Sequence, residues 1–154
     1  PLSSPALVDR QVVGVFDKKL LKIFAKALSN LHIKFAWVVN SEDGLDEISP
    51  YAKTNVVQLK DGVISEIIID PKELNIDANK LEDLLGDDAQ YNSNKMIDIF
   101  KGNDNDFSKA VCLNAAAALI VTEKNSNFKS AYDSARSHIL SGETYKSLKD
   151  LQNA

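Results

Sequence analysis

Gln11-Val12-Val13-Gly14-Val15-Phe16 is the stretch that decides the fold, because its apolar residues follow one another instead of alternating with polar ones. Such a run is typical of a strand covered on both faces of a sheet. Asp17 can then accept from the first free N–H groups of a helix. A second buried strand is predicted over residues 33–39, and apolar residues recur at helical spacing between the two strands, at Leu20, Leu21, Phe24, Leu28 and Leu31. Strand, helix and strand at this spacing indicate a right-handed parallel crossover and an α/β fold.

Beyond this unit, a polar loop over residues 40–50 leads to two β-rich runs, residues 55–59 and Val63–Ile69. Lys60-Asp61-Gly62 lies between them and predicts a hairpin, because an Asp-Gly pair tolerates positive φ. The rest of the pattern is helical. Helices are expected near 79–85, near 92–101, over 106–123, over 128–139 and, frayed, around 145–151. The alanine-rich helix 106–123 is expected to be central, and the fold class is α/β, with a partly parallel sheet, a β-hairpin and flanking helices.

Composition narrows the class of protein. The 154 residues are 44% hydrophobic and 26% charged, which suits one globular domain with a real core. The net charge is -4 and no stretch gathers Lys and Arg between aromatic residues, so nucleic acid is not expected as a partner. The single cysteine, Cys112, lies in an apolar run and predicts a buried thiol in a reducing compartment such as the cytoplasm. No run reaches the roughly 18 apolar residues that a membrane span needs. The opening Pro1-Leu2-Ser3-Ser4-Pro5, without Met, predicts that the sequence continues something longer.

The loop after the second strand is the candidate site. Ser41-Glu42-Asp43-Gly44-Leu45-Asp46-Glu47-Ile48-Ser49 places four carboxylates just past the carboxyl end of a buried parallel strand, the edge at which open α/β sheets bind ligands. Adjacent oxygen ligands at Asp46 and Glu47 suit Mg²⁺, which takes one or two carboxylates and leaves its other positions to water and phosphate. A solvated acidic turn is the alternative, and composition alone favours it.

Other candidates are weaker. His32 and His138 have no His or Cys neighbour at metal-ligand spacing, so surface or helix-end roles are expected of both. No serine lies in a nucleophile elbow, and the six glycines are dispersed rather than gathered in a phosphate-binding loop. Asn114, inside the apolar helix, is expected to be a buried amide bonded to a neighbouring loop.

Five segments in this order resemble the C-terminal half of anthranilate phosphoribosyltransferase. They are residues 1–5 (Pro-Leu-Ser-Ser-Pro), 10–16 (Arg-Gln-Val-Val-Gly-Val-Phe), 43–49 (Asp-Gly-Leu-Asp-Glu-Ile-Ser), 86–92 (Gly-Asp-Asp-Ala-Gln-Tyr-Asn) and 113–119 (Leu-Asn-Ala-Ala-Ala-Ala-Leu). The segment 43–49 is the most specific of them. The resemblance extends almost from end to end of the chain.

The resemblance implies a fold like that of the catalytic domain of nucleoside phosphorylases and phosphoribosyltransferases. It implies transfer of phosphoribosyl from phosphoribosyl pyrophosphate to anthranilate in tryptophan biosynthesis. Asp46 and Glu47 match the pair that holds Mg²⁺ in the family, and Pro1 matches a proline that borders the anthranilate channel. No catalytic residue is expected within this chain. The family's helical domain, glycine-rich diphosphate cradle and usual homodimer surface all belong upstream of Pro1, so the isolated chain is expected to be inactive.

The chain also departs from the family pattern, at Ser4, His32, Asn40 and Ser41. Glycine is usual in the family at the position of His32, and a substitution there costs on the order of 1 kcal/mol if φ is positive. Two alternatives stay open: a non-catalytic remnant or regulatory fragment of such an enzyme, and an enzyme like pyrimidine nucleoside phosphorylase, which uses phosphate instead of diphosphate.

Overall fold

The computed structural model describes residues 8–78 and 84–154, which contain one sheet whose four strands lie side by side in chain order. The strands are β1 Arg10–Gly14, β2 Phe35–Ser41, β3 Thr54–Lys60 and β4 Val63–Ile69. β1 pairs with β2 in parallel, and β3 and β4 continue the sheet in antiparallel fashion. The predicted parallel crossover and the α/β class are therefore confirmed.

Helices cover both faces of the sheet. They are α1 Leu21–Asn30, α2 Ala89–Phe100, α3 Asp106–Val121, α4 Phe128–Leu140 and α5 Glu143–Gln152. On one face α1 packs on alternate side chains of β2 and β3, among them Val38 and Leu59. On the other face α3 and α4 enclose the remaining alternate side chains of β2, namely Phe35, Trp37 and Val39. No helix in the described residues is long and apolar enough to cross a membrane.

The hairpin between β3 and β4 forms as the sequence predicts. Asp61 has φ 48° and Gly62 has φ 81°, so both central residues of the two-residue turn are left-handed. This turn matches the twist of paired antiparallel strands. The register follows from it, with Lys60 opposite Val63.

The bounds of β1, β2 and β3 differ from the prediction by one or two residues at each end; β2 begins at Phe35 instead of residue 33, and β3 is one residue longer at each end. β1 ends at Gly14, and Phe16, which was expected in the buried strand, is 81% exposed. β2 continues to Ser41, so that Asn40 and Ser41, expected in the loop, extend the pairing with β3 opposite Asn55 and Thr54. The apolar run shows where a strand lies, whereas its partner strand decides where it stops.

Helix boundaries differ where capping side chains or a left-handed residue set them. Asp17 accepts from the N–H of Lys19 at 2.9 Å and caps a short 3₁₀ turn, Lys18–Leu20, that leads into α1. α2 begins at Ala89, earlier than expected, because Asp88 caps it. α3 ends at Val121 because Glu123 is left-handed, with φ 56°. The helix expected near 79–85 lies largely outside the described residues.

The alanine-rich helix packs as expected on its sheet side only. Ala116 and Ala117 are fully buried between α3 and its neighbours, whereas Ala118 faces outward and is exposed. α3 contacts β1, β2 and α4. Its central place in the fold is therefore confirmed for one side of the helix within the described residues.

Candidate functional site

The acidic loop begins with a tight turn at the carboxyl edge of the parallel pair β1 and β2. The N–H of Ser41 donates to the carbonyl of Leu45 at 2.9 Å, and that of Gly44 donates to the carbonyl of Ser41 at 3.1 Å. Gly44 has φ 95°, a conformation that glycine adopts without a steric cost. The turn brings the following residues back over the end of the sheet.

One of the four carboxylates is used to build the loop. Asp43 accepts from the N–H of Leu45 at 3.3 Å and from the hydroxyl of Ser49. Ser49 is fully buried, and its hydroxyl oxygen also accepts from the N–H of Tyr51 at 3.0 Å. Since both oxygens of Asp43 are engaged in this way, Asp43 is a structural residue of the loop.

Asp46 and Glu47 are both accessible to solvent and line the same cleft, between the loop and α3. The cleft has a volume of about 280 Å³, and the lining comprises Leu45, Asp46, Glu47, Ile48, Leu84, Phe107, Ala110 and Val111. Partial burial, and then the neighbouring charge of Asp46, raise the pKa of the Glu47 carboxyl above its ordinary value. No Lys or Arg is among these lining residues, so no side chain that the structure places in this cleft supplies a compensating positive charge. The expectation that both carboxylates share one solvent-accessible cleft at this edge is confirmed.

Two residues from other elements hold the loop. Gly14, the last residue of β1, packs directly against the backbone of Asp46, and a Cβ built on Gly14 would lie 1.6 Å from the Asp46 carbonyl oxygen. Asn114 of α3 accepts from the N–H of Ile48 at 3.0 Å and donates to the carbonyl of Ile48 at 3.1 Å. The predicted bond between Asn114 and a loop is thus confirmed, whereas Asn114 itself is half-buried and not buried as expected. The role of Gly14 was missed, although a glycine inside a valine-rich strand is a known sign of close backbone approach.

Asn40 and Ser41, two of the residues at which the chain departs from the family pattern, have structural roles at the same edge of the sheet. Asn40 is buried, and its side-chain amide donates to the carbonyl of Val15 at 2.8 Å, which ties the ends of the two parallel strands together. The Ser41 hydroxyl donates to the carbonyl of Lys53 at 3.3 Å. Pro1 and Ser4 lie outside the described residues.

The other polar candidates are not part of this site. His32 follows α1 and His138 lies in the last turn of α4. Cys112 is buried, and its burial raises the pKa of the thiol to about 11. Among residues 8–78 and 84–154 no three His, Cys, Asp or Glu side chains converge to hold a metal ion by themselves.

This donor set fits a magnesium ion that is shared with a substrate. Two adjacent carboxylates offer hard oxygen ligands, and Mg²⁺ is commonly held by one or two carboxylates plus phosphate oxygens and water. Partial desolvation and then the neighbouring Asp46 carboxylate raise the pKa of Glu47, and the described lining of the cleft contains no Lys or Arg to balance the two negative charges. A cation would relieve that imbalance. With two carboxylates only, the remaining ligands would have to come from water and a phosphorylated ligand.

Comparison with known proteins gives consistent results. A family model described as the glycosyl transferase family, a/b domain, matches residues 1–145. An anthranilate phosphoribosyltransferase of Pelagibacter ubique (strain HTCC1062) is 78% identical over 153 residues, which are 99% of this chain and 46% of that protein. One from Alkaliphilus metalliredigens (strain QYMF) is 39% identical over 135 residues, which are 88% of this chain and 40% of that protein. The chain thus spans about half the length of the curated relatives it matches.

Solved structures agree with the fold. The crystal structure of anthranilate phosphoribosyltransferase from Thermus thermophilus matches with a TM-score of 0.86 at 29% identity, over 97% of this chain and 44% of that one. The enzyme from Saccharomyces cerevisiae in complex with PRPP and Mg matches with a TM-score of 0.85 at 23% identity, over 97% of this chain and 43% of that one. The second likeness shows the fold alone.

Proposed function

The chain belongs to the glycosyl transferase family defined by that α/β domain, and on this premise we propose that it is the C-terminal part of an anthranilate phosphoribosyltransferase. The complete enzyme transfers phosphoribosyl from phosphoribosyl pyrophosphate to anthranilate, in tryptophan biosynthesis. The names of the relatives at 78% and 39% identity support this assignment. The substrates and the reaction belong to the whole protein.

One observation carries the role of this chain, namely that Asp46 and Glu47 line a single cleft while Asp43 is engaged in building the loop. In the proposed function these two carboxylates hold a magnesium ion. When bound, the ion neutralises charge that grows on the departing pyrophosphate. The cleft at the carboxyl edge of the parallel strands is where α/β sheets take ligands, which supports the same assignment.

This chain places two negative charges in the cleft, and its sequence contains no glycine-rich loop that could bind the phosphates. Backbone N–H groups of a glycine-rich loop commonly bind phosphates, and the six glycines of this chain are dispersed. Carboxylates without such a loop repel a diphosphate. We therefore expect the isolated chain to bind phosphoribosyl pyrophosphate weakly and to catalyse no transfer.

The test is complementation in trans. The purified 154-residue chain is assayed with anthranilate, phosphoribosyl pyrophosphate and Mg²⁺, alone and after addition of the upstream half taken from the Pelagibacter relative. Product is expected only in the mixture. Substantial product from the chain alone would contradict the division of roles. Sedimentation of the active mixture would test the homodimer proposed for the complete enzyme.

The same assay separates the alternatives. A mixture that assembles, as sedimentation would show, and yet makes no product would favour a non-catalytic remnant. A mixture that cleaves a pyrimidine nucleoside with inorganic phosphate, and ignores anthranilate, would favour a nucleoside phosphorylase. The double variant Asp46→Asn with Glu47→Gln serves as control, because it removes charge from the cleft and leaves the loop's internal hydrogen bonds unchanged.

A further inference from the structure

We propose that Gly14 and Asn114 are positioning residues, which hold the acidic loop from two sides so that Asp46 and Glu47 face one cleft before any ligand binds. The inference rests on the proposed function, because it concerns the same two carboxylates. It adds two residues from β1 and α3, neither of which carries a charge. Each holds the backbone next to one carboxylate.

Gly14 acts through the absence of a side chain. Its φ is not positive, so its backbone conformation is open to any residue. A Cβ there would nevertheless lie 1.6 Å from the carbonyl oxygen and 2.7 Å from the carbonyl carbon of Asp46. Those atoms are backbone and cannot rotate away, so the loop would have to move by more than about 1 Å. Gly14 therefore fixes how closely Asp46 approaches the sheet.

Asn114 acts as a substitute for a peptide group. Its Oδ1 accepts from the N–H of Ile48, and its Nδ2 donates to the carbonyl of Ile48 and, at 3.0 Å, to the carbonyl of Ala110. The donors and acceptors match in one orientation of the amide only. Ile48 directly follows Glu47, and its side chain is 1% exposed. The loop is therefore anchored one residue beyond the second carboxylate.

These two restraints act against a repulsion. Asp46 and Glu47 are adjacent carboxylates that line one cleft, whose described lining holds no Lys or Arg, so their like charges repel each other and a free loop would separate them. Mg²⁺ requires near-ideal octahedral geometry. If the loop had to be ordered when the ion binds, the cost of that ordering would lower the affinity for Mg²⁺. Residues that orient the ligands of a metal typically change its affinity by about 10- to 100-fold when replaced. A loss of at least about 10-fold is expected here on the same ground.

The experiment uses Mn²⁺ alone as the probe and the 154-residue chain as it is. Broadening of backbone amide signals by the paramagnetic ion is followed by NMR in the wild type, in Gly14→Ala and in Asn114→Leu, a variant of similar shape without the hydrogen bonds. In the wild type the broadening is expected to centre on residues 45–48. Both variants are expected to need about 10-fold more Mn²⁺ for the same effect. Gly62→Ala is the matched control, since its Cβ meets no atom within 4 Å and its positive φ strains the distant hairpin instead.

The outcomes separate this inference from the proposed function. If Asp46→Asn with Glu47→Gln leaves the broadening unchanged, the metal assignment fails. If that double variant abolishes the broadening while Gly14→Ala and Asn114→Leu match the wild type, only the positioning inference fails. Should Gly14→Ala not fold, Asn114→Leu decides alone, and Asn114→Gln tests whether a displaced amide restores part of the affinity. In the complemented enzyme the same variants should raise the Mg²⁺ requirement more than they lower the maximal rate.

Discussion

Replacing His32 by glycine is expected to stabilise the chain. His32 has φ 59° and follows α1 at the position where helices commonly end on a left-handed glycine. The N–H of His32 donates to the carbonyl of Ser29 at 3.0 Å, and that of Ile33 donates to the carbonyl of Leu28 at 3.1 Å. These two bonds form a Schellman motif, with Leu28 and Ile33 both buried beside it. Nothing in this geometry needs a side chain at position 32.

The magnitude follows from two opposing terms. A left-handed conformation costs an L-residue about 1–2 kcal/mol, and glycine avoids this cost. Glycine in turn loses more conformational entropy on folding, which reduces this gain by roughly 0.5–1 kcal/mol. The net gain expected for His32→Gly is therefore about 0.5–1 kcal/mol, or about 1–4 °C in Tm for a domain of this size. Urea unfolding followed by circular dichroism measures the free energy directly.

Glu123→Gly is the matched comparison. Glu123 has φ 56° after α3, and the bonds around it follow the same pattern, with the N–H of Glu123 on the carbonyl of Ile120. Its carboxylate also pairs with Lys60 at 3.0 Å and with Arg10 at 2.7 Å, and these two hydrogen-bonded cations hold the pKa of Glu123 below its ordinary value. Exposed pairs of this kind each stabilise a fold only weakly, but here two of them share one carboxylate. The gain from glycine should therefore be offset, so Glu123→Gly should be close to neutral. A His32→Gly chain no more stable than the wild type would refute the reasoning.

In the complemented enzyme, Asp46→Asn with Glu47→Gln should raise the Mg²⁺ and phosphoribosyl pyrophosphate concentrations needed for half-maximal rate, with an unchanged circular dichroism spectrum; an unchanged Mg²⁺ dependence would count against the metal assignment. The raised pKa of Glu47 means that stability present at low pH is lost as pH rises through that pKa. Glu47→Gln should accordingly be more stable than wild type at neutral pH and lose this advantage below the ordinary glutamate pKa, as urea unfolding at several pH values would show. Cys112, with its thiol pKa raised to about 11, should react with iodoacetamide slowly at mildly alkaline pH in the folded chain and rapidly in urea; equal rates would show that the thiol is accessible.

Local patterns predicted the elements well because the signals are local. Successive valines predicted buried strands, and Asp61-Gly62 predicted a turn that the structure confirms. The boundaries were less accurate, since they depend on partners. Pairing with β3 extends β2 to Ser41, and the capping side chain of Asp88 starts α2 earlier than the apolar pattern suggested.

The site was predicted in part. Asp46 and Glu47 were identified from their place after a parallel strand, and the structure brings both into one cleft. Which of the four loop carboxylates stay free could not be predicted, because the answer depends on a fully buried hydroxyl, that of Ser49, bonding to Asp43. That Asp46 and Glu47 bind a metal ion stays a prediction.

By itself the sequence determined the fold class, the hairpin and the acidic loop, because each is encoded by neighbouring residues whose spacing sets which face they occupy. Only the tertiary structure decided how that loop is held. Gly14 meets Asp46 and Asn114 meets Ile48 across long stretches of chain, 66 residues in the second case. Such contacts arise when β1, the loop and α3 pack together, and they cannot be predicted from the spacing of apolar residues along the chain. The arrangement of two like charges in one cleft is therefore a property of the packed fold.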